Sequence, residues 1–191
     1  MSKLNVDTIE PEGASTTLTL GASGDTVTIP SGATIANSGT ATGFGGDNTP
    51  RFEATKTSAQ NGFADSTWVK VTFDSETTDS DGAYASDKFT VPSSEGGSYY
   101  FYSTVSAGTS TGGGISNLML SFYKNGSIHT SGGRGHMGSA DSIAGYAPIT
   151  ISTMMTLSAT DYVEVYVYCD TTDTNSTAVA NFCNFGGLKL L

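Results

Sequence analysis

The sequence predicts an all-β protein folded as a β-sandwich or jelly roll, and three observations predict it. Charged residues make up only 14% of the 191 residues while glycine occurs 24 times, a composition that favours short strands and tight turns over helices. Apolar and polar residues alternate along residues 151–157 and 161–168, as in half-buried antiparallel strands. A phenylalanine-rich segment interrupted by glycine, residues 181–188, closes the chain.

Residues 1–46 form a separate N-terminal segment, since they contain no aromatic residue before Phe44. A nine-residue step repeats within it, and each unit is a strand too short to bury an apolar face alone. Such units become stable by stacking or by winding with copies from other chains, so an ordered stalk in an oligomer is favoured over a flexible tail. The aligned apolar pairs are Leu18 with Val27 and Leu20 with Ile29.

Residues 51–191 follow a turn-rich joint at residues 43–50 and form one β domain. Eight or more short strands in roughly 140 residues indicate a sandwich or jelly roll. We expect Phe101, Leu120, Val163 and Val165 to lie in its core. The alternating sets begin with Val69, Val71 and Phe73, continue with the strands around Phe89, Tyr99 and Phe101, then Leu118, Leu120 and Phe122, then Ile149 to Leu157, then Val163, Val165 and Val167, and end with a closing strand from about residue 177.

Four fragments of this domain occur in the order typical of one family. They are Asp87-Lys88-Phe89-Thr90-Val91-Pro92, Gly97-Ser98-Tyr99-Tyr100-Phe101, Leu157 followed by Asp161, Val163 and Val165, and Phe185-Gly186-Gly187-Leu188. Residues 51–191 therefore resemble the jelly-roll head of the complement globular-head and tumour necrosis factor superfamily. The resemblance implies a compact homotrimer that binds partners and does not catalyse reactions. Thr160 departs from the family, which usually has glycine before the aspartate.

The N-terminal segment resembles a different group of proteins. Residues 6–11 and 19–34 are similar to the opening of tail-fibre and related virion proteins of marine tailed phages. Together the two resemblances imply a short trimeric virion fibre. Residues 1–46 would attach it to other virion proteins and the head would face outward.

The charge balance excludes several partners. Eight basic and 18 acidic residues give a net charge of −10, so the surface repels nucleic acid and anionic membranes. No apolar run approaches the roughly 20 residues of a membrane span, and the N-terminus lacks an apolar signal region. We therefore expect synthesis in a host cytoplasm and a final location in the virion. Free buried thiols at Cys169 and Cys183 are favoured over a disulfide.

No catalytic constellation appears in the sequence, which predicts neither an enzyme nor a cofactor. His129 and His136 lie in a glycine-rich stretch, residues 126–148, with Arg134 between them. They could meet a metal, but ordinary polar loop residues are the favoured interpretation; the same residues could instead serve as hydrogen-bonding groups for a glycan. This connection is the longer of two, the other being residues 106–117, and we expect it to form a recognition loop at the tip of the head.

Two sets of tyrosines alternate with core positions. Tyr162, Tyr166 and Tyr168 lie opposite the valine face and should point out of the sandwich. They could form a strip for sugar stacking or docking, although cross-strand pairs that shield the sheet are favoured. Tyr100 and Tyr102 face away from Tyr99 and Phe101, and we expect them at a subunit interface. The single tryptophan, Trp68, is not placed.

The carboxylates of Asp74, Glu76, Asp79 and Asp81 cluster, as calcium ligands do, but solvated turns are the favoured interpretation.

The sequence thus predicts a non-enzymatic virion protein, a short trimeric fibre whose head binds a host-surface molecule, with a glycan as the expected ligand. The alternative is a capsid, collar or tail decoration protein whose head binds another virion protein. A free secreted lectin-like domain is a weaker third hypothesis.

Overall fold

The computed structural model describes residues 9, 13, 17–34, 36, 48–63, 65–109, 114–137, 146–171, 176–178 and 183–190. The chain divides into two compact units, Met1–Phe44 and Gly45–Leu191. In the part that is described, no helix has the length and apolar character needed to cross a membrane.

Residues 17–34 of the first unit form turns and extended chain and contain no paired strand. The described residues of this segment thus show no β pairing within one chain, and the ordered stalk of an oligomer stays a prediction. The two turns are hydrogen-bonded, from the Asp25 amide to the Ala22 carbonyl at 3.0 Å and from the Ala33 amide to the Pro30 carbonyl at 3.1 Å. All four repeat apolar side chains are exposed, by 44% at Leu18, 61% at Leu20, 58% at Val27 and 47% at Ile29.

The second unit is built from strands. Those assigned within its described residues are β1 (Arg51–Thr55), β2 (Gln60–Phe63), β3 (Thr67–Lys70), β4 (Ser75–Asp79), β5 (Tyr84–Ala85), β6 (Lys88–Thr90), β7 (Gly97–Thr109), β8 (Ile115–Lys124), β9 (Ser127–Ile128), β10 (Arg134–Met137), β11 (Tyr146–Leu157), β12 (Tyr162–Thr171), β13 (Ser176–Ala178) and β14 (Asn184–Lys189).

These strands form two antiparallel sheets with the connectivity of a jelly roll. In the first sheet the strand order is β11, β7, β14, β1, β4. Strand β13 pairs with the C-terminal part of β7, and β2 pairs with β13. In the second sheet the order is β10, β8, β12, β6, β5, with β3 also paired to β12 and β9 to β8. The chain crosses between the two sheets several times, so it wraps around one shared core.

The core lies between the two sheets and is dominated by aromatic rings. The predicted core residues Phe101, Leu120, Val163 and Val165 are all fully buried, which confirms the face assignment from alternation. Cys169 and Cys183 are buried thiols that are not joined in a disulfide, as predicted. The aromatic members of the core are Phe52, Phe73, Tyr84, Phe89, Tyr99, Phe101, Phe122 and Phe185.

The closing strand predicted from about residue 177 is two strands, β13 and β14, which pair with successive parts of β7. From Ala178 to Asn184 the chain advances six residues, while its partner advances only three, from Ala107 to Thr104. The two strands therefore do not share one continuous register along β7.

The turn between β11 and β12 carries backbone strain at Thr160. Its φ is +72°, a left-handed conformation that a β-branched residue rarely adopts. The turn is nevertheless well bonded, since the Asp161 carboxylate accepts the Ser158 amide at 2.9 Å and the Asn125 side-chain amide at 2.7 Å. With the ion pair to Lys124, these bonds lower the pKa of Asp161 to about 2.

We expect Thr160→Gly to stabilise the protein by about 0.5–1 kcal/mol, because glycine removes the left-handed strain at the cost of a more flexible unfolded chain. Ala159→Gly is the matched control, since that neighbour does not have positive φ and should lose stability. Chemical denaturation of the two variants and the parent checks both signs. A loss of stability in Thr160→Gly would contradict the strain assignment.

Candidate ligand-binding surface

The outward face of the second sheet carries an aromatic patch, which we define as Trp68, Met119, Tyr123, Arg134, His136, Tyr166 and Tyr168. Strand register brings these residues together. Tyr168 of β12 lies opposite Trp68 of β3 on one side and Met119 of β8 on the other, and Met119 lies opposite His136 of β10. In the neighbouring row, Ser121 lies between Tyr166 and Arg134.

The rings of the aromatic patch contact one another across three strands. Tyr123 and Tyr166 are stacked, with ring centroids 3.9 Å apart and an interplanar angle of 23°. Trp68 packs against Tyr168 at 5.7 Å and against Tyr123 at 6.1 Å. Ser121 faces outward in the middle of the patch and is fully buried, so the larger side chains around it close over this position. Such contacts hold the rings in fixed orientations on rigid strands.

Arg134 lies over the aromatic patch although its side chain is exposed. Its guanidinium carbon lies 5.5 Å from the centre of the Trp68 ring, which is a cation–π contact. Its Nη2 donates to the Met119 sulfur at 3.4 Å. Stacking orients the guanidinium before any ligand arrives, so its other N–H groups remain in a fixed position for an acceptor.

His136 lies at the next outward position of β10 and is bonded from its Nε2 to the Asn117 side-chain oxygen at 2.8 Å. The glycine-rich sequence predicted that Arg134 and His136 lie in a loop at the tip of the head. They lie instead on the outward face of strand β10. Residues 126–148 also contain β9 and β10, so this connection is shorter than predicted, and β7 and β8 likewise extend into residues 106–117.

His129 does not belong to the aromatic patch. Its backbone amide bonds the carbonyl of the core residue Phe122 at 2.9 Å, and its Nε2 is buried with no hydrogen-bond partner among the described residues. Burial lowers the pKa of His129, and the positive charge of Lys124 lowers it further. The imidazole is thus kept neutral, and the two histidines do not face a common site.

The His129 environment predicts a loss of stability in mild acid. The pKa of His129 is lower in the folded state than in the unfolded chain, so protonation favours unfolding. The contribution of His129 to stability is therefore complete above the ordinary histidine pKa of about 6.5 and is lost as the pH falls below that value. Denaturation midpoints measured between pH 7 and pH 5 should decline in the parent and decline less in His129→Gln. Identical slopes in the two proteins would contradict the assignment.

Tyr162 lies at the other end of β12, away from the Trp68 row. Lys88 places its ammonium 4.7 Å from the centre of the Tyr162 ring. The Tyr162 amide bonds the Asn125 side-chain oxygen at 2.9 Å, which ties this end of the strand to the Asn125–Gly126 turn. Tyr162 therefore supports the turn, while Tyr166 and Tyr168 contribute to the aromatic patch.

Charges beside the aromatic patch are largely neutralised. Lys70 of β3 and Glu164 of β12 form an ion pair of 2.8 Å, and Lys70 also donates to the Ser86 carbonyl at 2.8 Å. Burial raises the pKa of Tyr123 and of Tyr166, so both phenols stay protonated and can donate hydrogen bonds at neutral pH. The patch thus combines neutral aromatic faces and hydroxyl donors with the cation of Arg134.

The outward face of the first sheet is different in character. Register aligns Arg51, Leu188, Tyr100 and Met154 across four strands, and we call the last three the apolar row. Met154 is 69% exposed and Tyr100 is 36% exposed. Tyr102 lies next to this row on a half-buried position, where burial, more than the adjacent Glu53, raises its pKa. Tyr100 and Tyr102 thus point away from the core, as predicted. Tyr102 also lines a shallow pocket, together with Arg51, Phe52, Glu53, Thr78, Gly187 and Leu188.

The loop carboxylates bind backbone amides. Asp74 accepts from the Thr57 and Ser58 amides at 2.5 and 3.1 Å, and Asp79 accepts from the Ala83 and Tyr84 amides at 3.0 and 2.8 Å. Hydrogen bonds from the Thr57 and Ser58 segment lower the pKa of Asp74. In the described ranges, no three histidine, cysteine or carboxylate residues are grouped as metal ligands would be.

Trp68 and Tyr123 are the residues that sequence reasoning missed. The signal was present, since Val69, Val71 and Phe73 were placed on one face, which puts Trp68 on the other. Leu118, Leu120 and Phe122 likewise leave Tyr123 pointing outward. Their contact with Tyr166, however, depends on strand neighbours that no local pattern specifies.

Comparison with known proteins finds a structural likeness but no related sequence. No family model matches the chain, and no curated protein matches it. Among solved structures the chain is similar to the globular domain of zebrafish complement 1qA protein, with 15% identity and a TM-score of 0.49, over 75% of this chain and 98% of that one. A likeness of this size says nothing about what the chain binds. The jelly-roll description stands on the strand order given above.

Proposed function

We propose that this chain is a non-catalytic recognition protein, a homotrimer whose jelly-roll head binds a host-surface glycan and whose N-terminal segment attaches it to a virion as a short fibre. The observation that carries the proposal is the aromatic patch. Partly exposed rings on strands, with an exposed arginine beside them, suit a ligand that stacks and accepts hydrogen bonds.

Self-association is supported by the apolar row. Tyr100, Met154 and Leu188 lie side by side across three adjacent strands, and among the described residues Met154 and Tyr100 are exposed while Leu188 is half-buried. Covering such a row with the same row of another copy removes apolar area from water and stabilises the assembly. Tyr100 and Tyr102 are then interface residues.

The N-terminal repeats support the same state. Four large apolar side chains separated by turns are exposed in a single chain, and three copies wound together would bury them. The attachment to a virion rests on the sequence resemblance of residues 6–11 and 19–34. Several heads on one particle would turn weak single contacts into durable adsorption, with gains on the order of 10²–10⁴.

Light scattering of the full chain tests the assembly. We expect three times the chain mass of 19.6 kDa. Met154→Asp should shift the mass toward the monomer without unfolding the head, because this side chain is exposed and the new charge would be buried in the trimer. Ser127→Asp, at an exposed position of the second sheet, is the matched control and should remain a trimer. A monomeric parent at micromolar concentration would contradict the proposal.

Electron microscopy with an antibody against the head tests the location. We expect labelled fibres projecting from virus particles, with the head distal. Label on the capsid or collar would favour the alternative, a decoration protein that binds another virion protein.

A further inference from the structure

Arg134 differs from Lys70 and Lys124 of the second sheet, which form ion pairs; Lys88 forms none among the described residues, but it lies over the Tyr162 ring at the other end of β12. The described residues contain three ion pairs, Lys70 with Glu164, Lys124 with Asp161 and Lys189 with Glu95, and none involves Arg134. Its guanidinium touches the Trp68 ring and the Met119 sulfur, neither of which balances its charge. The aromatic patch therefore presents one oriented, uncompensated cation.

The surroundings of Arg134 provide sugar-type contacts on both sides. Tyr166 and Arg134 flank Ser121 on neighbouring strands, so their backbones lie about 10 Å apart. The stacked Tyr123 and Tyr166 rings offer a face for the C–H groups of a pyranose. On the other side, Asn117 and His136 offer amide and imidazole groups for sugar hydroxyls.

We propose that the aromatic patch binds a saccharide that carries a carboxylate, with the carboxylate on Arg134 and the sugar rings on Tyr123 and Tyr166. This inference rests on the proposed function and names its ligand class. A guanidinium matches a carboxylate through two parallel hydrogen bonds, which a neutral sugar cannot form.

The overall charge limits the ligand further. The chain carries a net charge of −10, so an anion approaching the head is repelled unless it meets a local cation. One free guanidinium can compensate one carboxylate, while Lys70 is already neutralised by Glu164. A sugar with isolated carboxylates fits this arrangement better than a densely charged polyanion such as a sulfated polysaccharide or a nucleic acid.

The experiment compares matched acidic and neutral saccharides on the full-length trimer. Immobilised pairs would include oligogalacturonate with its methyl ester and sialyl-lactose with lactose, within an array of further acidic and neutral glycans. We expect at least one acidic member to bind about 10- to 100-fold more tightly than its neutral partner, the range of a charge-assisted bidentate contact. Raising the salt concentration should weaken the acidic member and leave the neutral one unchanged.

Two variants locate the contact. Arg134→Gln should bring the affinities for the acidic and neutral members within about twofold of each other, and Arg134→Lys should retain part of the preference because it keeps charge without the planar fork. Trp68→Ala should weaken binding of both members, because the Trp68 ring packs against Tyr123 and helps to hold the sugar-binding rings in place. Melting curves and light scattering on each variant confirm that fold and assembly are retained.

The outcomes separate this inference from the proposed function. Binding to neutral sugars that depends on Trp68, with no preference for a carboxylate in any pair, overturns the inference and keeps the glycan-binding head. A carboxylate preference unchanged in Arg134→Gln overturns the assignment to this patch. Absence of binding across the whole array overturns both the inference and the glycan part of the proposed function.

Discussion

Phe101→Ala is expected to cost about 3–5 kcal/mol of unfolding free energy, the range for a large aromatic residue removed from a packed core. Phe101 is fully buried on β7, which pairs with β11, β13 and β14 in the first sheet. Its ring centre lies 5.6 Å from that of Phe89, 6.2 Å from that of Phe122 and 6.2 Å from that of Phe185. The variant leaves a cavity that touches both sheets, and these neighbours are themselves fully buried and have little freedom to fill it.

Tyr162→Ala is the matched control for this prediction. It also removes an aromatic ring, but from the outward face of β12, where the ring is partly exposed and contacts Lys88. Its cost should be well below that of Phe101→Ala. Denaturant titrations at equal protein concentration compare the two, because the stability of an oligomer depends on concentration. A cost below about 1 kcal/mol for Phe101→Ala would show that the two faces of β7 are inverted.

Gly187→Ala is expected to destabilise the protein by about 1–3 kcal/mol through overpacking. A Cβ atom at this position of β14 would lie 2.5 Å from Cδ1 of Phe101 and 3.0 Å from the Tyr100 carbonyl oxygen. Neither group can yield, since one is a ring enclosed in the core and the other belongs to the backbone of a central strand.

The adjacent glycine provides the control. A Cβ atom at Gly186 would collide with the Tyr102 ring, which lies across β14 on the outward face. Because Tyr102 is only half-buried, its ring can swing away, and Gly186→Ala should cost less than Gly187→Ala. Melting temperatures of the two variants measure the difference, and equal losses would show that the outward face is packed as tightly as the core.

Alternation along single strands predicted much of the sandwich. Val163, Val165 and Val167 against Tyr162, Tyr166 and Tyr168 separate the two faces of β12, and the structure keeps this separation. Successive side chains of a strand point to opposite faces whatever the strand pairs with, so this information is local. The Asn125–Gly126 turn was predictable for the same reason, since both residues adopt the positive φ values of a tight hairpin, 51° and 75°.

Strand β10 could not be predicted from its sequence, Arg134-Gly135-His136-Met137, which has no strand-like alternation. It forms because its backbone completes the edge of β8, and it fits because Gly135 has no side chain. A Cβ atom there would lie 2.9 Å from side-chain carbons of Ile149 and Ile151 on the opposite sheet. The glycine-rich composition that suggested a loop is thus a packing requirement imposed by a distant strand.

The sequence by itself determined the all-β class, the core-facing residues, the outward direction of the tyrosines and the difference between residues 1–46 and the rest. Only the tertiary structure decided that Trp68, Tyr123, Tyr166 and Arg134 share one surface and that His129 does not. The physical reason is that side-chain direction follows from the backbone of each strand, while neighbours across strands follow from pairing between segments as far apart as Trp68 and Tyr168.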